Sequence, residues 1–393
     1  MGDLFQRPPV TKMQITAKTQ NNSTTLYLDG RLDIDTCSDV ETAIRSAQGQ
    51  TLLLDLRLCP YISSAGLRVM LSTQKAFSRE GKQFELINVP KPVIEILDVT
   101  GLKDLLTTRP IRREINLEEC EFLSAGVCGE CFRMDPETIV KVYREGVSQE
   151  VAEQEKQFAK AAFMLGIPTA ISYDVVSCGT RTGVVYEMLN AGLLSEIIAS
   201  SPEKIADHAR TLAGIAKQIH SIKGDKSVFP DIKQKLRGAL GQMESHLPGE
   251  DVHMLLKRLE NIPDDDHCLH FDLHSSNIMI KDGEPLLLDL GDFSTGSYLF
   301  EIGVIAAIYS KPSSGVCQRV TKLPGDLGLK LFNHFCESYF ANKPPEDLEF
   351  FRRNFNFLQA LRPMFASTFL PSFGETWIPR LRDELLPLIR AER

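Results

Sequence analysis

Residues 12 to 30 alternate between polar and apolar positions, as in TTLYLDG, and predict strands ending at Gly30. SDVETAIRSA (38–47) has helical spacing, with Ser38 as a candidate N-cap. The continuous apolar run TLLLDL (51–56) is the mark of a strand buried on both faces. SAGLRVMLSTQKAFSREG (64–81) is amphipathic and stops at Gly81. QFELINV (83–89) then predicts a strand and KPVIEILDVTGLKDLL (91–106) a helix. This alternation predicts a small α/β domain over residues 1–108, followed by a linker over 109–117 built on the polar, basic RPIRRE.

A different pattern begins at Glu118. CEFLSAGVCGECFRMD predicts a hairpin with a glycine-bearing turn, and TIVKVYR (138–144) a strand. SQEVAEQEKQFAKAAFMLG (148–166) predicts a helix ended by Gly166, with Pro168 just beyond. TGVVYEML (182–189) is another strand. The rest is mostly helical, interrupted near residue 270 by short apolar segments with Asp and Asn between them. Residues 118–393 therefore form an α+β domain. Its most apolar stretch, Ile302 to Tyr309, is too short to span a bilayer and predicts a buried helix.

Composition narrows the partners. The 393 residues are enough for two cores. Asp and Glu outnumber Lys and Arg by 52 to 44, a net charge of −8 with no basic run, so no nucleic-acid partner is expected. MGDLFQRPPVTK has no apolar signal-peptide core. Gly2 invites myristoylation, but Gln6 stands where that motif needs Ser or Thr. A cytoplasmic location without membrane insertion is expected. The nine cysteines read as reduced thiols, and the CxxC of Cys128 and Cys131 has no second ligand pair at zinc spacing.

The densest chemistry lies in HFDLHSSNIMIKDGEPLLLDLGD, His270 to Asp292. Phosphoryl transfer needs a carboxylate near the attacking hydroxyl, magnesium ligands and a cation on the phosphates. Asp272 can supply the carboxylate. The amide oxygen of Asn277 and the carboxylate of Asp289 are hard donors of the kind magnesium takes. His270 and His274 stand at i, i+4 like the zinc pair of HExxH, but Phe271 occupies the place of its glutamate.

HFDLHSSN resembles the catalytic loop of the aminoglycoside-phosphotransferase and choline-kinase group, and LLLDLGD resembles that group's metal-binding segment. The resemblance implies a two-lobed, protein-kinase-like fold, with a smaller lobe over about 118–189 and a larger one over about 190–393. It implies ATP and Mg2+ as cofactors, Asp272 as the base, and Asn277 and Asp289 as metal ligands. His270 and His274 would shape the loop. Protein kinases carry Lys two residues after the catalytic Asp; His274 in that place points to a hydroxyl-bearing small-molecule substrate.

Upstream, SAGVCGECF (124–132) resembles a glycine-rich loop, in which Gly126 and Gly129 would let backbone N–H groups approach phosphate oxygens. Lys141, inside the apolar strand IVKVYR, is costly unless paired. In the family such a lysine binds the α- and β-phosphates and pairs with a helical glutamate, here Glu155 or, failing that, Glu153. YEMLNAG (186–192) resembles the hinge, where backbone groups of Glu187 to Leu189 would meet adenine. The resemblance makes His220, in AKQIHSI, a structural helix residue with no chemistry assigned. Asp264 to Asp266 is either a grip for a cationic substrate or a solvated turn.

In the first domain, LLLDLRLCPYISSAGLRVML and GRLDIDT (30–36) resemble the STAS domain of anti-sigma-factor antagonists. The phosphorylated serine of that family aligns with Ser64, and Ser63 stands where the antagonists carry Asp. Either Ser64 is a phosphorylation site at a helix N-terminus, or it is a plain N-cap. The resemblance implies a regulatory protein as partner. The expected function is transfer of phosphate from ATP to a hydroxyl acceptor under STAS regulation. The alternatives are a partner-switching protein whose kinase domain phosphorylates a serine such as Ser64, and a nucleotide sensor without turnover.

Overall fold

The computed structural model describes residues 13–20, 22–126, 129–369 and 371–392. The Gly2 and Gln6 positions and Cys128 lie outside them. Two compact units divide between Glu114 and Ile115.

The first unit is a five-stranded sheet in the order β1 (Gln14–Gln20), β2 (Ser23–Asp29), β3 (Thr51–Leu58), β4 (Gln83–Val89), β5 (Thr107–Pro110). β1 and β2 form an antiparallel hairpin; the remaining neighbours are parallel. The connecting helices are α1 (Cys37–Ser46), α2 (Ser64–Arg79) and α3 (Lys91–Val99). Leu52, Leu54 and Leu56 line one face of β3 and are buried together with Leu26, Leu28, Val40 and Met70, whereas Thr51 and Leu53 on the other face are only partly buried, so the strand is less evenly covered than its continuous apolar run predicts.

Three local expectations are corrected. α1 starts one residue before Ser38, and Thr36 holds the cap position. The Thr36 hydroxyl donates to the Arg31 carbonyl (2.7 Å) and accepts from the Asp33 N–H (3.0 Å), which fixes the turn that launches the helix. α3 ends at Val99 instead of running to 106. Gly101 turns left-handed (φ +68°), and the N–H groups of Leu102 and Lys103 fold back onto the Leu97 carbonyl. The chain then enters β5, so Arg109 and Pro110, expected in the linker, belong to the sheet edge. At α2, Ser63 is the N-cap and accepts the Gly66 N–H (3.4 Å), while Ser64 is the first helical residue and is exposed. A Cβ on Gly66 would lie 2.8 Å from both Ile62 and Leu32 side-chain atoms, so glycine is required there.

The second unit opens with an antiparallel sheet in the order β6 (Glu121–Ala125), β7 (Gly129–Arg133), β8 (Thr138–Tyr143), β10 (Arg181–Glu187), β9 (Ser172–Cys178). α4 (Gln149–Met164) joins β8 to β9. The remainder is helical around one large apolar core, in which the helix Tyr298–Tyr309 is buried along nearly its whole length. Two short β-ladders interrupt the helices, Cys268–Leu269 with Ser294–Thr295 and Ile278–Lys281 with Glu284–Leu287. They anchor the two ends of the polar segment around residue 272. Among the described residues no helix is long and apolar enough to cross a membrane.

Candidate active site

Lys141 lies mid-strand in β8, between Cys131 of β7 and Val184 of β10. Its ammonium reaches Glu155 Oε1 at 2.8 Å and Oε2 at 3.0 Å, and Asp289 Oδ1 at 2.8 Å. Glu155, in the middle of α4, is only 3% exposed. The Tyr186 hydroxyl donates to its Oε1 (2.8 Å), and the Tyr143 hydroxyl donates to its Oε2. Three donors replace for this buried carboxylate the hydrogen bonds that water would otherwise make. Burial pulls the Lys141 ammonium down, but Asp289 and Glu155 outweigh it and hold it well above its ordinary value. Burial and then Glu155 push both tyrosine hydroxyls up, so they remain donors.

The loop from His270 to Asn277 is braced by its own histidines. The His270 N–H donates to Oε2 of the fully buried Glu301 (2.7 Å). The His270 ring bonds the Leu288 carbonyl through Nε2 (2.8 Å) and accepts the Asp272 N–H at Nδ1 (3.3 Å). His274 Nδ1 accepts the Ser276 N–H (3.2 Å), and burial pushes this imidazole towards its neutral form. Phe271, fully buried, takes a left-handed backbone (φ +60°), as does Asp289 (φ +57°). Such conformations persist where the surroundings enforce them.

Asp272 and Asn277 touch directly. The Asn277 amide NH2 donates to the Asp272 carbonyl (3.0 Å) and to its Oδ2 (3.3 Å), which turns the amide oxygen away from Asp272. The backbone carbonyl of Asn277 accepts the Leu288 N–H (2.9 Å), which ties this pair to the residue just before Asp289. Burial raises Asp289, yet Lys141 more than compensates and holds the carboxyl below its usual range. The side chains of Asp272 and Asp289 keep 30% and 40% exposure, so both carboxylates are accessible.

The other candidate residues are less uniform. The N–H groups of Glu187 and Met188 are already taken, by the carbonyls of Ile171 (3.0 Å) and Glu137 (2.7 Å). Glu187 Oε1 also accepts the Ile171 N–H (2.8 Å). Gly129 has a structural reason to be glycine: a Cβ there would meet the Val142 carbonyl oxygen at 2.2 Å. Gly126 has no such neighbour and donates its N–H to the Gly129 carbonyl (2.8 Å). His220 caps its helix and bonds the Tyr339 hydroxyl (2.7 Å), a structural role. The acids of the 264–266 run are engaged: Asp264 with Lys233 (2.7 Å), Asp265 with His267 (2.5 Å) and Asp266 with Lys223 (3.3 Å).

Arg362 is a component that motif reasoning misses. It comes from the helix Phe355–Ser367 and places Nη2 3.3 Å from Asp272 Oδ1 and Nη1 2.7 Å from Asp292 Oδ2. Its guanidinium lies 5.3 Å from the Phe271 ring centre and 5.7 Å from that of Phe365. Burial raises the Asp272 carboxyl, but Arg362 and then His274 outweigh it and keep the acid ionised. The signal was present, because an arginine inside the apolar run FLQALRPMF is as costly as a lysine inside a strand.

A profile described as "Phosphotransferase enzyme family" matches residues 122–321, just over half of the chain, and one described as "Mlab, STAS domain" matches residues 15–107. The anti-sigma-B factor antagonist of Staphylococcus aureus (strain NCTC 8325 / PS 47) is 27% identical over 97 residues, covering 24% of this chain and 90% of that protein. The Bacillus subtilis (strain 168) anti-sigma-B factor antagonist is 26% identical over 96 residues, covering 24% and 88%. Among solved structures, the ADP-bound aminoglycoside phosphotransferase APH(2'')-Ib aligns with 69% of this chain and 94% of its own, at 16% identity and a TM-score of 0.48. A choline/ethanolamine kinase family protein from Mesorhizobium loti aligns with 69% and 87%, at 13% identity and a TM-score of 0.45. The chain belongs to the phosphotransferase enzyme family and carries a STAS domain ahead of its kinase-like domain.

Proposed function

We propose that the second unit transfers the γ-phosphoryl group of ATP, with magnesium, to a hydroxyl of a small molecule, and that the unit ending at Glu114 is its regulatory or docking module. The observation that carries this reading is the ion-paired Lys141, fixed between Glu155 and Asp289. Lys141 would bind the α- and β-phosphates from a position that needs no reorganisation. With the Glu187 and Met188 N–H groups engaged, the adenine contact falls to the Leu189 N–H and the Glu187 carbonyl.

The donor set fits magnesium. Asp289 offers a hard carboxylate, and Asn277 has its NH2 committed to Asp272 and its oxygen turned outward. The ion, when bound, neutralises charge on the β- and γ-phosphates. Asp272 would orient the acceptor hydroxyl and receive its proton. The acceptor oxygen forms a bond to the γ-phosphorus, the bond from that phosphorus to the β-phosphate oxygen breaks, and ADP leaves. The proton passes from Asp272 to solvent. Because Arg362 holds Asp272 ionised, its first task is orientation, which suits a loose transition state in which little proton transfer is needed early.

Calorimetric titration with Mg-ATP tests this reading: binding in the wild type and its weakening in Lys141→Met support it, and no binding in the wild type removes it. A second reading has its own support. Ser64 is exposed and is not the cap of α2, so its hydroxyl is available to a kinase, including the one in this chain. Phosphopeptide mapping after incubation with ATP separates the two; an unlabelled Ser64 removes the second.

A further inference from the structure

The two oxygens of Asp272 face different company. Asn277 and His274 lie at Oδ2, the side of the proposed metal, and Arg362 lies at Oδ1. An acceptor approaching Asp272 opposite the metal ligands therefore comes in beside Arg362. A second cation lies in the neighbourhood of Arg362. Lys235, on the helix Ile232–Gln242, brings its ammonium to 5.9 Å from the Phe365 ring centre, and the Arg362 guanidinium lies 5.7 Å from that same ring.

Lys235 is half-buried, and no carboxylate among the described residues is ion-paired with it. Burial pushes its amine down; Asp292 opposes this from a distance, and Arg362 adds repulsion. Asp292 is itself already held by Arg362 at 2.7 Å. A partly desolvated ammonium with no carboxylate in direct contact is costly, and the cost is relieved when an anion comes to it. The acids that might have welcomed a cationic acceptor, Asp264 to Asp266, are engaged with Lys233, His267 and Lys223.

We propose that Lys235 and Arg362 line the acceptor subsite, and that the acceptor is an alcohol carrying an anionic group, a carboxylate or a phosphate. The anionic group sits at Lys235 while the hydroxyl meets Asp272. Arg362 remains committed to Asp272 and Asp292 and fixes the shape of that wall. This inference rests on Asp272 being the residue that receives the acceptor hydroxyl.

The test uses the full chain, Mg-ATP and four alcohols on one carbon skeleton: glycerol, glycerate, glycerol phosphate and aminopropanediol. ADP release and phosphoester formation are measured for each. The expected result is a kcat/KM for glycerate or glycerol phosphate at least about tenfold above glycerol, with aminopropanediol the poorest, as a charge-assisted contact implies. Whichever anion is better identifies the group. Lys235→Gln should reduce the anion-to-glycerol ratio about tenfold by the same contact, mainly through KM, and Lys235→Arg should retain it. Equal or better use of glycerol or aminopropanediol, no stimulation by either anion, or an unchanged ratio in a folded Lys235→Gln overturns the proposal. Mg-ATP titration of the same preparations separates the failures. Tight Mg-ATP binding with a cationic preference sinks only the acceptor class, whereas absent Mg-ATP binding sinks the phosphotransferase reading as well.

Discussion

The ammonium of Lys141 stands 2.8 Å from a carboxylate oxygen of Glu155 and 2.8 Å from one of Asp289, two residues contributed by a helix and by a loop far along the chain. Two tyrosines hold Glu155, Tyr143 from the lysine's own strand β8 and Tyr186 from the neighbouring β10. The cation is thus positioned by neighbours that are themselves fixed.

Removing one partner of this pair has two separable effects. Lys141→Met should lower kcat by about 10²–10³-fold, the usual loss for a preorganised charge-stabilising donor. Glu155→Ala leaves the lysine and two tyrosine hydroxyls without their buried acceptor and should destabilise the fold by about 3–5 kcal/mol. Urea denaturation monitored by circular dichroism checks the second effect, and single-turnover kinetics the first.

Asp272→Asn keeps the shape of the loop and its hydrogen bond to Asn277 but removes the charge that faces Arg362 and the acceptor. Phosphoester formation should fall by about 10²–10⁴-fold, the range of positioned acid–base groups. Mg-ATP affinity, measured by calorimetry, should change far less, because Lys141, Asn277 and Asp289 are untouched.

Acid should weaken the metal-free protein through the same carboxylates. Asp272 and Asp289 are both held below their ordinary range in the folded state, by Arg362 with His274 and by Lys141, after burial has acted against them. A depressed folded pKa contributes stability that is complete above the unfolded value, about 3.9, and is lost as pH falls through the folded value. Urea midpoints should therefore drop steeply below about pH 4. In Asp289→Asn the midpoint at neutral pH should be lower and its acid dependence shallower.

Gly129 and Gly126 should behave differently despite sharing one motif. Gly129→Ala drives a Cβ to 2.2 Å from the Val142 carbonyl, a clash with backbone that cannot move aside. It should cost at least about 1–3 kcal/mol. Gly126→Ala meets nothing closer than 3.9 Å and should leave the melting temperature nearly unchanged. Thermal scans of the two variants check this contrast.

The parts of the site that were legible in sequence are those with an energetic anomaly or fixed spacing. Lys141 in an apolar strand demanded a partner, and Asp272, Asn277 and Asp289 lie close enough along the chain for spacing to imply proximity. Tyr143 and Tyr186 were not legible, because a tyrosine in a strand looks the same whether it fills a core or donates to a carboxylate. Arg362 showed the same anomaly as Lys141, but its partners are set by packing of the helix Phe355–Ser367, which no local pattern encodes. In the first unit, GLKDLL keeps apolar spacing beyond Gly101 and so predicts a longer α3, while the left-handed turn at that glycine ends the helix. Thr36 carries no forward capping signal in the sequence, because its hydroxyl bonds backward to Arg31 and Asp33 instead of into the helix.

The most direct measurement is a crystal structure of the chain with magnesium and a non-hydrolysable ATP analogue. Oxygens of Asn277 and Asp289 should lie about 2.0–2.1 Å from the ion, with Lys141 on the α- and β-phosphates, Glu155 still at its side, and Asp272 facing the γ-phosphate. A nucleotide bound elsewhere, or an ion held without either of those oxygens, would contradict this arrangement.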